Sequence, residues 1–117
     1  MYIVKYMEGW LFKNEHLRKR LKSIGLIENE DGYWYYPPYS IDPYGFIMAS
    51  YHNYVRICQD VGVYKGNIVH FHQLEQSPEY NTDTQEEEII NKIQELLIKY
   101  KSLNTQARMV ELEKDFV

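Results

Sequence analysis

His70-Phe71-His72 is the pattern in this sequence best suited to holding a metal ion. On a strand, residues i and i+2 face the same way, so both imidazoles could meet one divalent cation. Glu75 lies three residues further on, and Cys58 or His52 could approach. An H-x-H pair alone is a weak ligand set. The same two histidines equally suit the wetter face of a strand whose Phe71 enters the core. Metal binding through His70 and His72 is thus a secondary expectation, and no cofactor is expected. Nucleophilic chemistry has less support, because the chain has no Gly-x-Ser-x-Gly elbow and no Cys-x-x-Cys. Cys58 falls on an apolar stripe, where a thiol acts as a small hydrophobe. The six glycines form no phosphate-binding loop. Glu86-Glu87-Glu88 opens a predicted helix, where negative charge is simply stabilising. The expectation is a protein that is not an enzyme.

A second chemistry is suggested by Arg18, Lys19, Arg20 and Lys22. They flank the stripe Leu17, Leu21, Ile24 of a helix predicted over 14–24, capped by Asn14 and stopped by Gly25. A hairpin follows: Leu26-Ile27-Glu28, the turn Asn29-Glu30-Asp31-Gly32, then Tyr33-Trp34-Tyr35-Tyr36. A basic helix leading into a hairpin resembles the end of a winged-helix domain over residues 14–36. That resemblance implies nucleic-acid binding through the helix, with Arg18, Lys19 and Lys22 as contacts. Only thirteen residues precede the helix, however, too few for the two helices that open that family. Charge also opposes it. Residues 1–27 carry six Lys/Arg against Glu8 and Glu15, whereas residues 28–117 carry seven against fifteen Asp/Glu. An acidic body repels phosphate, so nucleic acid is a disfavoured partner.

The third candidate is aromatic. Twelve of the 117 residues are tyrosine, and nine of the eighteen aromatics fall between Tyr33 and Tyr54. Tyrosine and tryptophan are enriched at protein interfaces, since they bury area at little rotamer cost and keep a polar handle. Tyr33, Trp34, Tyr35, Tyr36, Tyr39 and Tyr44 are the predicted protein-contact residues. In a strand over 33–36, alternation gives both faces aromatic side chains. Core packing explains the cluster equally well. Stacking on single-stranded bases would need a basic groove, and here Asp31 and Asp42 face Arg56 alone.

The elements that must position these groups predict an α+β domain. Its sheet is small, mixed or antiparallel, packed by one or two helices and followed by a long C-terminal amphipathic helix. Residues 1–80 form the α+β core and 84–117 the C-terminal helix, either within the same domain or as a dimerisation arm. A strand is predicted over 2–7, a turn over 42–45 and a short strand over 46–49. Tyr51, Tyr54, Val55 and Cys58 fit one helix face over 51–60, although the same residues fit a strand pair turning at His52-Asn53. Residues 63–74 read as a strand kinked at Lys65-Gly66-Asn67, and 77–83 as irregular. Thr84-Gln85-Glu86-Glu87 forms a capping box. After it, Ile89, Ile93, Leu96, Tyr100 and Leu103 step by four and three residues, a coiled-coil-like repeat. That stripe predicts self-association as a homodimer, or packing on the protein's own sheet. Ser102, Asn104 and Thr105 are weak helix formers and mark a possible break.

Whole-chain totals set the remaining bounds. The length suits one domain. One cysteine allows no internal disulfide, and no run approaches the ~18 apolar residues of a membrane helix. No targeting segment stands out, so a cytoplasmic protein without a membrane partner is expected. Alanine occurs only twice while Lys, Ile, Asn, Tyr and Glu abound, a bias of AT-rich bacterial or phage genomes. The leading functional expectation is a small regulator or inhibitor, from a phage or mobile element, that acts by contacting another protein.

Overall fold

The computed structural model describes residues 12–37, 46–64, 68–72, 74 and 76–115. The predicted strand over 2–7 and the turn over 42–45 lie outside the described residues.

Helix α1 spans Glu15–Ile24. Its start is local chemistry: the Asn14 side chain accepts from the Leu17 backbone N–H at 3.0 Å. Its end is equally local. Gly25 adopts the left-handed conformation at φ 114°, and the Leu26 N–H closes back on the Leu21 carbonyl at 3.2 Å. Leu17 and Leu21 face the core.

Strands β1 (Ile27–Glu28) and β2 (Tyr33–Tyr35) form the expected antiparallel hairpin, pairing Ile27 with Tyr35 and Glu28 with Trp34. Gly32 takes φ 84° in the turn, where a Cβ would be strained. The Asn29 side chain accepts from the Asp31 and Tyr33 N–H groups, which fixes the loop. Strand β3 (Phe46–Ser50) pairs with β2, and β4 (Tyr54–Ile57) pairs with β3.

The segment 51–60 is thus not a helix. The chain reverses at residues 51–53, and the Tyr51 N–H donates to the Tyr54 carbonyl at 2.9 Å. Side chains along β4 alternate between half-buried and buried, the period of a strand with one face on the core. The β-branched and aromatic residues of β4 favour this pairing over the helical stripe.

Residues 63–74 are not one kinked strand either. Strand β5 (Asp60–Tyr64) and β6 (Ile68–His72) run antiparallel, with Asp60 opposite His72 and Tyr64 opposite Ile68. Within the segment read as irregular, β7 (Glu79–Asn81) pairs with β4. The result is a five-stranded antiparallel sheet ordered β1-β2-β3-β4-β7 and a two-stranded β5-β6 sheet.

Helix α2 spans Glu86–Asp115 without interruption, 30 residues. At ~1.5 Å per residue it is about 45 Å long, which accounts for most of the molecule's 55 Å longest dimension. No break occurs at 102–105, and the Thr105 hydroxyl donates to the Lys101 carbonyl one turn back at 2.9 Å. The helix starts one residue later than the capping box implies. Asn81, not Thr84, organises the entry: its side chain accepts from the Asp83 and Thr84 N–H groups. Gln85 in turn accepts from the Asn81 N–H at 2.8 Å. No described helix is long and apolar enough to cross a membrane.

One hydrophobic cluster joins these layers. Phe12, Leu17 and Leu21 meet Trp34, Ile47, Met48, Val55 and Ile57 of the sheet, and Val61, Val69 and Phe71 of the hairpin meet α2 residues from Ile89 to Ala107. The architecture is α+β: α2 packs chiefly on the β5–β6 hairpin and also meets β4 and β7, and α1 packs against α2.

Candidate protein-contact surface

Strand β2 divides its aromatics by parity. Trp34 points inward and is fully buried, stacking near Phe12 with ring centroids 6.3 Å apart. Its indole N–H donates to the Ser50 hydroxyl, so the polar atom that burial would strand has a partner. Tyr33 and Tyr35 therefore face outward. Tyr33 is 37% exposed and Tyr35 half-buried.

A bulge then adds a third ring to this outer face. Trp34 pairs with Met48 but Tyr35 pairs with Phe46, so Ile47 is the extra residue on β3. Ile47 and Met48 both lie fully buried, as the two residues at a bulge can. Phe46 is consequently turned outward. Its ring stacks on Tyr33 at 4.9 Å and leans on Tyr35 at 6.3 Å. Ile27, opposite Tyr35, extends the patch and is 43% exposed.

The same side of the sheet continues through Ala49, which is buried, and Arg56, in one row with Tyr33 and Glu79. Arg56 and Glu79 neutralise each other at 2.9 Å. Tyr54, two residues before Arg56, shares this face and stacks on Tyr51 at 4.6 Å with planes 9° apart. Ile27, Phe46, Tyr51 and Tyr54 are additions to the set expected from sequence.

Two of that expected set belong elsewhere. Trp34 is core, as above. Tyr36 is half-buried where the end of α1 meets α2: it sits edge-on to Tyr100 at 5.9 Å, and a Cβ on Gly25 would lie 3.1 Å from its ring. Tyr39 and Tyr44 lie outside the described residues.

The basic helix does not present a free cationic face. Arg18 has 13% of its side chain exposed; it donates to the Phe12 carbonyl at 2.9 Å, lies 4.6 Å over the Phe12 ring and reaches Glu28 at 3.4 Å. It acts as a core tether, and burial in turn pushes the Glu28 carboxyl up against the pull of Arg18. Arg20 bridges to Glu86 at 2.7 Å and Glu87 at 2.6 Å, tying α1 to the start of α2. Asn14 and His16 join the same clamp, at 3.2 Å and 2.8 Å from Glu86. These hydrogen bonds, chiefly that of Arg20, hold the Glu86 carboxyl below the ordinary range. Lys19 and Lys22 remain exposed. Two exposed lysines are a small remnant of the predicted nucleic-acid contact.

His70 and His72 do share one face of β6, with His72 exposed and Gly62 packed beside its ring. Asp60, opposite His72, is held by Lys99 at 2.6 Å, and that hydrogen bond keeps its carboxyl below the usual range. Among the described residues no group of three or more His, Cys, Asp or Glu is placed to hold a metal ion. Cys58 is buried; its thiol donates to the Phe46 carbonyl at 3.1 Å, and burial pushes its pKa up to about 12. A thiol so placed stays protonated and is a poor nucleophile.

The stripe expected to drive self-association is occupied by the protein's own sheet. Ile89 and Ile93 are fully buried, Leu96 and Tyr100 nearly so, and Leu103 packs on the edge of the same cluster. Tyr100 meets Phe71 of β6 at 5.3 Å. Of the two readings of this repeat, the burial of Ile89, Ile93, Leu96 and Tyr100 matches packing within one chain.

No protein-family model, curated protein or solved structure matches the chain.

Proposed function

We propose that this is a small protein-binding domain that acts by direct contact through the outer face of its larger sheet. The contact residues are Tyr33, Tyr35 and Phe46, with Ile27 at one edge and Tyr51 and Tyr54 toward the other. The observation that carries the proposal is the three-ring cluster of Tyr33, Tyr35 and Phe46, the tyrosines turned outward by alternation along β2 and the phenylalanine by the β3 bulge. The apolar residues of both described helices join the core cluster that contains Trp34, not this aromatic group. Contiguous aromatic area rich in tyrosine is the composition of an interface centre. Compositional bias supports a regulator or inhibitor of phage or mobile-element origin, and a single cysteine, with no internal disulfide to form, supports a cytoplasmic setting.

The test is affinity purification from the native host, with quantitative mass spectrometry, using wild type and Tyr33→Ala/Phe46→Ala as parallel baits. Removing two interface-centre aromatics costs about 2 kcal/mol or more, roughly a thirtyfold loss of affinity. Partners retained by wild type and depleted from the variant, with the variant's melting curve still cooperative, are the expected result. Equal recovery by both baits would remove the proposed surface.

A further inference from the structure

Three turns meet at one end of the outer aromatic face. The Ser50 N–H donates to the Gly32 carbonyl at 2.7 Å, joining the β1–β2 turn to the start of the β3–β4 turn. The Thr82 N–H donates to the Asn53 carbonyl at 3.1 Å, which brings the β7–α2 turn alongside. Glu30 and Asp31 project from the first turn and Asp83 from the third, all exposed. The three turns contain no lysine or arginine.

These carboxylates, like Glu88 on α2, differ from five others in the fold. Glu28, Asp60, Glu79, Glu86 and Glu87 each hold an arginine or lysine of the chain. No ion pair among the described residues engages Glu30, Asp31 or Asp83. Tyr33 follows directly on the first turn, and the stacked Tyr51 and Tyr54 bracket the second. The surface thus sets Tyr33 and Tyr54 beside three carboxylates that no ion pair among the described residues engages.

From this we infer that the partner segment is cationic: an arginine- or lysine-bearing stretch of protein lying across Tyr33 and Tyr54, with its charges toward Glu30, Asp31 and Asp83. The inference rests on the contact reading above and adds the partner's chemistry to it. Guanidinium groups stack on tyrosine faces and pair with carboxylates, so one arginine side chain satisfies both features. An anionic partner, nucleic acid included, meets like charge at the same rim.

The probes are three synthetic peptides that alternate glycine with arginine, with glutamine or with glutamate, titrated into the isotope-labelled full chain. Expected is saturable movement of the backbone amides of Gly32, Tyr33, Asn53, Tyr54 and Asp83 with the arginine peptide, weakening as salt rises. The glutamate peptide leaves them unmoved. Glu30→Gln/Asp31→Asn/Asp83→Asn lowers the arginine peptide's affinity by about tenfold, as three rim contacts together would. Equal shifts with the glutamine peptide, or arginine-peptide shifts confined to other acidic surface such as Glu88 and Glu95, would overturn the inference. The two proposals fail separately. If Tyr33→Ala/Phe46→Ala depletes a host partner that the charge-neutralised variant still retains, the contact surface stands and the cationic partner falls. If neither variant loses a partner, both fall.

Discussion

Ile93→Ala separates the two roles that one residue pattern can play. Ile93 is fully buried among α2, the sheet and the β5–β6 hairpin. Removing its three outer carbons from such a site costs about 2–5 kcal/mol, the lost transfer energy plus the cavity left behind. Domain stabilities run about 5–15 kcal/mol, so the loss is a large fraction of the total. For a domain of this length it corresponds to a fall in Tm of about 10–20 °C. Because the contact lies within one chain, the loss is the same at every protein concentration. Were Ile93 instead part of a seam between two copies, wild-type stability would rise with concentration and the variant's deficit would shrink on dilution. Urea and thermal unfolding followed by circular dichroism, at several concentrations spanning two decades or so, distinguish these outcomes. A deficit under about 1 kcal/mol, or one that depends on concentration, would refute the placement of this stripe in the protein's own core.

Other consequences are equally direct. Gly25→Ala forces a Cβ onto φ 114° and to 3.1 Å from the Tyr36 ring, so it should lower stability by about 1–2 kcal/mol in chemical denaturation. Asn14→Ala removes the α1 cap and the 2.7 Å bond to the Thr82 carbonyl, with an expected loss of about 1–2 kcal/mol in the same assay. Hydrogen bonds from Arg20 hold Glu86 and Glu87 below the usual carboxylate range, and Lys99 does the same for Asp60. Their contribution is complete above the ordinary carboxylate pKa of about 4 and is lost as pH falls through the folded values. Melting temperature should therefore drop on acidification, and Arg20→Ala should flatten part of that drop. Cys58, with its pKa pushed up to about 12, should resist thiol reagents in the native state and react fully once urea unfolds the chain.

What was legible in the sequence is what local chemistry decides. Asn14 and Gly25 bound α1 because a cap and a left-handed glycine act within one turn. Asn29 to Gly32 fixed the first hairpin in the same way. Segment 51–60 was harder, since Tyr51, Tyr54, Val55 and Cys58 satisfy a helical spacing by coincidence. The strand is decided by partners far along the chain, Met48 to Ser50 on one side and Glu79 to Asn81 on the other. Alternation along β2 separates Trp34 from Tyr33 and Tyr35, but nothing local says which side meets the core. The outward turn of Phe46 depends on a bulge, a pairing property with no signature in its own sequence. The four-three repeat of α2 is compatible with any apolar surface, and only the assembled sheet shows which one it meets.

The central claim is that the outer aromatic face is where a partner docks. A photoreactive phenylalanine analogue placed at Tyr35 tests it most directly, with the same analogue at Ile98 as the control. Ile98 is 71% exposed on α2, well removed in sequence and on a different element. Irradiation in host extract, followed by mass spectrometry of the adducts, should give a protein cross-link from position 35 that position 98 does not give. A partner captured from position 98 alone, with none from position 35, would contradict the account.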